Sequence, residues 1–151
     1  MASDAREGEL SRRTFPAMVA LHCSVIGATA LWGGRTRWRW LAVLAAAQPV
    51  RAWVLTTLGP RWNARAAVSP TMEVETRGPY AHIRHPNYAV VFVELLALPL
   101  AFGLRRLAWG AAVAHAVILT VRVRDEEALL AEMPGYDEHF RTKKRFVPGV
   151  F

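Results

Sequence analysis

The sequence predicts an all-α fold, an integral-membrane helical bundle of about four transmembrane helices that carries a polar loop and tail. Three observations predict it. Apolar residues make up 53% of the chain, and the mean hydropathy is positive at +0.15. The formal charge is nevertheless +7, so apolar runs alternate with concentrated basic clusters. Six tryptophans accompany them, as expected where indole rings settle at a membrane interface. A soluble nucleic-acid binder would carry the charge without this apolar fraction, so no nucleic-acid partner is expected. At 151 residues the chain is read as a single domain, 1–151.

Residues 1–14 are polar and expected to form a flexible amino terminus. Acidic residues among the first ten, with no small-residue cleavage site after a short apolar region, argue against a cleavable signal peptide. Phe15 to Trp32 carries no charge and is long enough for a first span. Gly33-Gly34 with Arg35, Arg37 and Arg39 make the turn. Trp38 to Leu58 is the second span, interrupted by Gln48-Pro49 and Arg51 and closed by Gly59-Pro60. The Arg61 to Arg84 stretch is polar, and within it Val68-Ser69-Pro70 and Met72 to Thr76 suggest a strand-like arm. Tyr88 to Leu104 is the third span, Arg105-Arg106 the hairpin, and Leu107 to Val121 a short fourth span. The chain is expected to leave the membrane at Arg122 and to form a separate amphipathic helix that stops at Pro134-Gly135.

Four spans place the amino terminus, the long loop and the tail on one side. That side holds 13 of the 19 Lys and Arg residues. The positive-inside bias makes it the cytoplasmic side. The tail's Lys143-Lys144-Arg145 then reads as a tether to anionic lipid headgroups.

Chemistry concentrates in Arg77-Gly78-Pro79-Tyr80-Ala81-His82-Ile83-Arg84-His85-Pro86-Asn87-Tyr88. Gly78-Pro79 marks a turn, and Pro86 suits the first position of a helix. Aromatic faces, ring nitrogens and fixed charge there suit a nucleotide-like ligand; an ordinary basic loop is the alternative. His82 and His85 read either as site residues or as solvated interfacial histidines. They lack companion ligands at compact spacing, so no metal site is expected. Cys23 reads as a small core residue and His22 as pointing into the bundle. Glu94, inside an apolar span, is costly unless paired or functional. Arg51, Arg122 or the proton of a hydroxyl substrate are its candidate partners. Arg122 and Glu126 stand at i and i+4 and share one helix face.

Three features resemble the isoprenylcysteine carboxyl methyltransferase family. Gly78-x-Tyr80 followed by Arg84-His85-Pro86-Asn87-Tyr88 is similar to the family's Gly-x-Tyr and Arg-His-Pro-x-Tyr motifs. Arg122-x-x-x-Glu126, with Glu127, and the tail's Gly135-Tyr136 and Arg145-Phe146-Val147-Pro148 complete the pattern. The match runs from about Met72 onward, so residues 72–151 are the expected cofactor-binding and catalytic half. Many relatives place a histidine where this chain has Met72.

The resemblance implies a methyltransferase that uses S-adenosylmethionine at a cytoplasmic loop and tail. Tyr80, His85, Pro86, Asn87, Tyr88 and Glu126 would bind this cofactor, and Arg122 would orient the acceptor oxygen. Glu94 is the candidate base. The acceptor would be hydrophobic, prenylated or long-chain alkyl, with a carboxylate or acidic hydroxyl. Among relatives the chain looks most like small bacterial members associated with polyketide synthases, which O-methylate alkylpyrones or alkylresorcinols. Leu58-Gly59-Pro60-Arg61-Trp62-Asn63 and the run from His85 to Glu94 suggest this. Phospholipid N-methylation, an NADPH-dependent membrane reductase and a non-catalytic scaffold are the rival readings. The reductase motif usually has Cys-Pro at the place of His85-Pro86.

Overall fold

The computed structural model describes residues 8–62 and 73–147. Four long helices account for most of them: α1 (Glu9–Trp32), α2 (Trp38–Leu58), α3 (Pro86–Ala101) and α4 (Arg105–Leu130). A short α5 (Tyr136–Phe140) follows, and 3-10 turns occupy Gly59–Arg61 and Gly78–Ala81. The helices α1, α2 and α4 are each long and apolar enough to cross a membrane, whereas α3 is a shorter apolar helix of 16 residues. The protein is an all-α integral-membrane bundle.

The shortest of the four long helices is the central one. α3 packs against α2, α4 and α1, while α1 leans mainly on α4. Val90, Leu95, Leu100 and Ala101 of α3 are buried, as are Ala108, Ala111, Ala112 and Leu119 of α4. Small residues there let the two backbones approach closely, which substitutes for hydrophobic drive inside a bilayer. Large apolar side chains face outward instead, among them Leu31, Trp53, Val113 and Val117. Trp32 and Trp38 flank the α1–α2 turn and are also exposed, as interfacial anchors would be.

At that end the two tight hairpins are stitched together. Gly34 N–H donates to Phe102 C=O at 2.9 Å, and Arg37 N–H to Ala101 C=O at 2.7 Å. The other end carries the motif loop and the tail, and will be called the loop end. Arg84 N–H bonds Lys144 C=O and His85 N–H bonds Arg145 C=O, both at 2.9 Å. Ile83 and Lys144 form an isolated parallel bridge. Met133, Tyr136 and Phe140 pack with Val74, Tyr80 and Leu129 as a small apolar cap over this end.

Several expectations are corrected. Helix α4 does not stop at Val121: it runs unbroken to Leu130. No Gly or Pro lies between Ala111 and Met133 to break it; α4 ends at Leu130 with Ala131 as its C-cap, and Gly135, at φ 80°, takes the left-handed conformation just before α5. The turn between α3 and α4 is Phe102–Leu104, so Arg105 and Arg106 already belong to α4. No strand forms among the described residues. Glu73 to Thr76 is extended without pairing, and Val68-Ser69-Pro70 and Met72 lie outside the described residues, as do Asn63 and Pro148. The amino-terminal stretch is helical from Glu9. Cys23 is exposed on the outer side of α1, not in the core, because the packed face of that helix carries Val25 and Thr29.

Candidate active site

Gly78 shows why the loop begins as it does. Its φ is +58°, and a Cβ there would sit 2.7 Å from Thr57 Oγ1 and 3.1 Å from Trp53 Nε1 of α2. Only glycine combines that conformation with that contact. Glu75, buried just upstream, receives Arg77 Nε at 2.9 Å, the Arg77 and Thr76 backbone N–H groups, and the Arg61 guanidinium. Those bonds, led by Arg77, hold its carboxyl down at about 2 despite burial. The loop is thereby fastened to the end of α2.

His85 precedes Pro86, which opens α3 with its φ already suited to a helix. The His85 side chain is 3% exposed, and Nε2 lies 3.1 Å from Glu127 Oε1. Its ring stacks on Tyr88, centroids 5.6 Å apart, and faces Phe146 of the tail at 6.0 Å. Of the two histidines, then, His85 is integrated, whereas His82 is exposed. Glu127 also accepts from Arg145 Nη2 at 2.7 Å and Arg84 Nη1 at 3.5 Å. One carboxylate thus ties loop, α4 and tail together.

One helical position earlier, Glu126 Oε2 accepts the Tyr88 hydroxyl at 2.7 Å. Both residues line a cavity of about 180 Å3 that is open at its mouth. Tyr80, His85, Asn87, Tyr88 and Glu126 all line it, as do His22 of α1 and His115 of α4. Burial, then the negative charges of Glu126 and Glu75, push the Tyr80 phenol well above its ordinary value, so it stays a neutral donor. Asn87 Oδ1 is buried on this wall with no hydrogen-bond partner, an acceptor position that a ligand's N–H or O–H can fill.

The remaining sequence candidates lie elsewhere. Pro86 is buried under the wall. Arg122 is not on the cavity wall but directly behind it: fully buried, it donates from Nη1 to Ser11 C=O at 2.9 Å and also bonds the Tyr88 hydroxyl. Asp125, which sequence reasoning passed over, accepts Ser11 N–H at 2.8 Å. That carboxylate caps α1 from another helix, where Gly8 supplies no side-chain cap of its own. Glu94 pairs with Arg51 at 2.5 Å and accepts from Gln48 Nε2 at 3.0 Å. It lines a groove between α1 and α2, not the cavity. Of the partners open to Glu94, Arg51 is the one it meets. Among the described residues, no group of three or more His, Cys, Asp or Glu is placed to hold a metal.

The motif loop, α3 and α4 therefore converge on one cavity at a membrane-bundle end, with the tail packed behind His85 and Glu127. The model of the isoprenylcysteine carboxyl methyltransferase (ICMT) family matches residues 40–132, across α2, α3 and α4. The chain belongs to that family. It is accordingly a membrane methyltransferase by descent, and a lipid-like substrate accords with both the family and the embedded helices. Two relatives extend the match. The uncharacterized protein YpbQ of Bacillus subtilis (strain 168) is 34% identical over 131 residues, 82% of this chain and 78% of that protein. The nickel-cobalt-cadmium resistance protein NccN of Alcaligenes xylosoxydans xylosoxydans is 28% identical over 123 residues, covering 79% of this chain and 58% of NccN. Sequence reasoning gave no role to His115, although it stands seven positions before Arg122. That spacing, two helical turns, repeats the buried face of α4 and is the signal that would have found it.

Proposed function

We propose that the chain is an S-adenosylmethionine-dependent O-methyltransferase whose acceptor is a hydrophobic, long-chain molecule reaching the site from within the bilayer. The observation that carries this is the cavity shared by Tyr88 and Glu126. The residues present fit the cofactor: a carboxylate for its cationic groups, aromatic rings for its base and an unsatisfied Asn87 oxygen for a donor. When bound, the cofactor supplies an activated methyl group, so the protein needs chiefly to position, orient and exclude water.

In this reading Tyr80, His85, Asn87, Tyr88 and Glu126 bind the cofactor. Pro86 sets the start of α3 so that Asn87 and Tyr88 face the cavity. Arg122 acts from behind the wall by fixing α1, and Glu94 serves the bundle through Arg51. The basic bias of the loop end places it in the cytoplasm, where the cofactor is soluble.

The test is a titration of detergent-purified protein with S-adenosylmethionine and, separately, with NADPH. Saturable binding of the first alone, lost in His85→Ala and Glu126→Ala, supports the reading. Binding of NADPH alone would replace it with a reductase, and binding of neither with a scaffold.

A further inference from the structure

The floor of the cavity holds a second, unassigned constellation. His115 is fully buried on α4, and neither of its ring nitrogens has a hydrogen-bond partner. Its ring meets His22 of α1 edge to face, centroids 5.5 Å apart. His22 Nδ1 lies 2.7 Å from Met18 C=O. A carbonyl can only accept, so that nitrogen carries the proton and Nε2 of the neutral ring is an acceptor. Two orphaned nitrogens inside a membrane helix carry a heavy desolvation cost. A helix bundle of apolar residues gains nothing from them unless something arrives to bond them.

What arrives is constrained by charge. The arginines at the cavity are already engaged: Arg51 with Glu94, Arg84 with Glu127, and Arg122, behind the wall, with Ser11 C=O and the Tyr88 hydroxyl. Glu126 adds a further negative group to the wall. An anionic head group would have to compete with these carboxylates and shed its hydration as well. A neutral hydroxyl has neither problem: it donates to one imidazole and accepts from the other. The path to this floor is also visible. A groove between α1 and α2, with about 950 Å3 of empty space, is lined by Ile26, Leu41, Leu44 and Leu95. His22 and Val91 line both this groove and the cavity, so the two spaces adjoin at these residues.

We propose that the His22–His115 pair binds and orients the acceptor's head group as an uncharged hydroxyl, with the acceptor's hydrocarbon chain lying in the α1–α2 groove. This deepens the methyltransferase reading and depends on it only for what the bound hydroxyl is for. The binding itself is measurable without any methyl donor, so its failure and that of the cofactor titration are separate results.

The experiment uses the full chain in lipid nanodiscs with 4-dodecylphenol as probe and dodecanoic acid as its anionic counterpart. Nitrogen-15 shifts of labelled histidine rings report the contact, and tryptophan quenching reports affinity. The phenol is expected to move the ring signals of His22 and His115 and to bind at least tenfold tighter than the acid. His115→Leu and His22→Phe are each expected to weaken phenol binding about tenfold or more, with helicity and melting temperature as folding controls. Unmoved ring signals, equal affinity for the acid, or native affinity in either folded variant would overturn the proposal. If His115→Leu does not fold, the ring signals and His22→Phe decide.

Discussion

The hydroxyl of Tyr88, in the first turn of α3, donates to the carboxylate of Glu126, near the end of α4, across 2.7 Å. Between these residues lie most of α3, a tight turn and nearly all of α4. The bond therefore fixes the cavity only if both helices hold their lengths and crossing.

Removing that hydroxyl tests the arrangement directly. A hydrogen bond to a charged group contributes about 1.5–3 kcal/mol, and Tyr88→Phe leaves Glu126 without its phenolic donor. Affinity for S-adenosylmethionine is expected to fall roughly tenfold, and Glu126→Gln to fall further because the negative charge also goes. Calorimetric titration of both variants checks this. Unchanged affinity in Tyr88→Phe would mean that the bond does not orient the carboxylate.

Glu127 has a different task from its neighbour. It binds His85, Arg84 and Arg145 at once, so Glu127→Gln is expected to loosen the tail without emptying the cavity of acidic charge. Hydrogen exchange of the Arg84 and His85 amides, which bond the Lys144 and Arg145 carbonyls, should accelerate by about tenfold or more. Exchange in the stitched hairpins at the far end should not change.

Much of this was legible in the chain. Uncharged runs between basic clusters gave the four long helices, and Gly78, Pro86 and Pro134-Gly135 marked real boundaries. The loop and tail were recognisable as a pair through their resemblance to the family's motifs. What escaped were relations that no local pattern encodes. Asp125 caps a helix more than a hundred positions away. The end of α4 was misplaced because a charge run was taken as an exit, although Arg, Asp, Glu and Ala all sustain a helix. For His115 the one trace in the chain is its two-turn spacing from Arg122; its burial and partnerless ring nitrogens belong to the fold.

Glu75 provides a pH test. Its folded carboxyl titrates near 2, below the ordinary value of 4.5, because Arg77 and Arg61 bond the ionised form. A depressed carboxyl stabilises the fold above about 4.5 and loses that contribution as pH falls toward 2. Melting temperatures of the native chain and Glu75→Gln should therefore differ clearly at pH 7, less at pH 3, and converge only at about pH 2 and below. A constant gap across that range would assign the effect to shape instead of charge.

The α1 cap gives a stability test away from the cavity. Asp125→Ala removes the acceptor of Ser11 N–H, and losing a helix amino-terminal cap costs about 0.5–2 kcal/mol. Gly8→Ala should also destabilise, because the new methyl would lie 1.9 Å from Asp125 Oδ2 as the two now stand. Combined with Asp125→Ala, that clash disappears, so the double variant should be no worse than Asp125→Ala alone. Thermal unfolding in detergent measures all three.

Glu94 and Arg51 separate a structural ion pair from a working carboxylate. The pair sits mid-bundle with both side chains largely covered, and removing one partner strands a charge in a medium that solvates it poorly. Breaking such a pair costs about 3–5 kcal/mol, whereas replacing both partners by apolar residues is often close to neutral. Arg51→Leu is therefore expected to unfold far more readily than the native chain, and Arg51→Leu with Glu94→Leu to recover most of the loss. Glu94→Gln should fold, because Gln48 and Arg51 can still bond a neutral amide oxygen, and should keep methyl transfer within about twofold. A Glu94→Gln protein that is folded, binds S-adenosylmethionine and yet turns over a hundredfold slower would instead make Glu94 part of the chemistry. That result would also relocate the acceptor's reacting atom from the cavity floor to the α1–α2 groove where Glu94 lies.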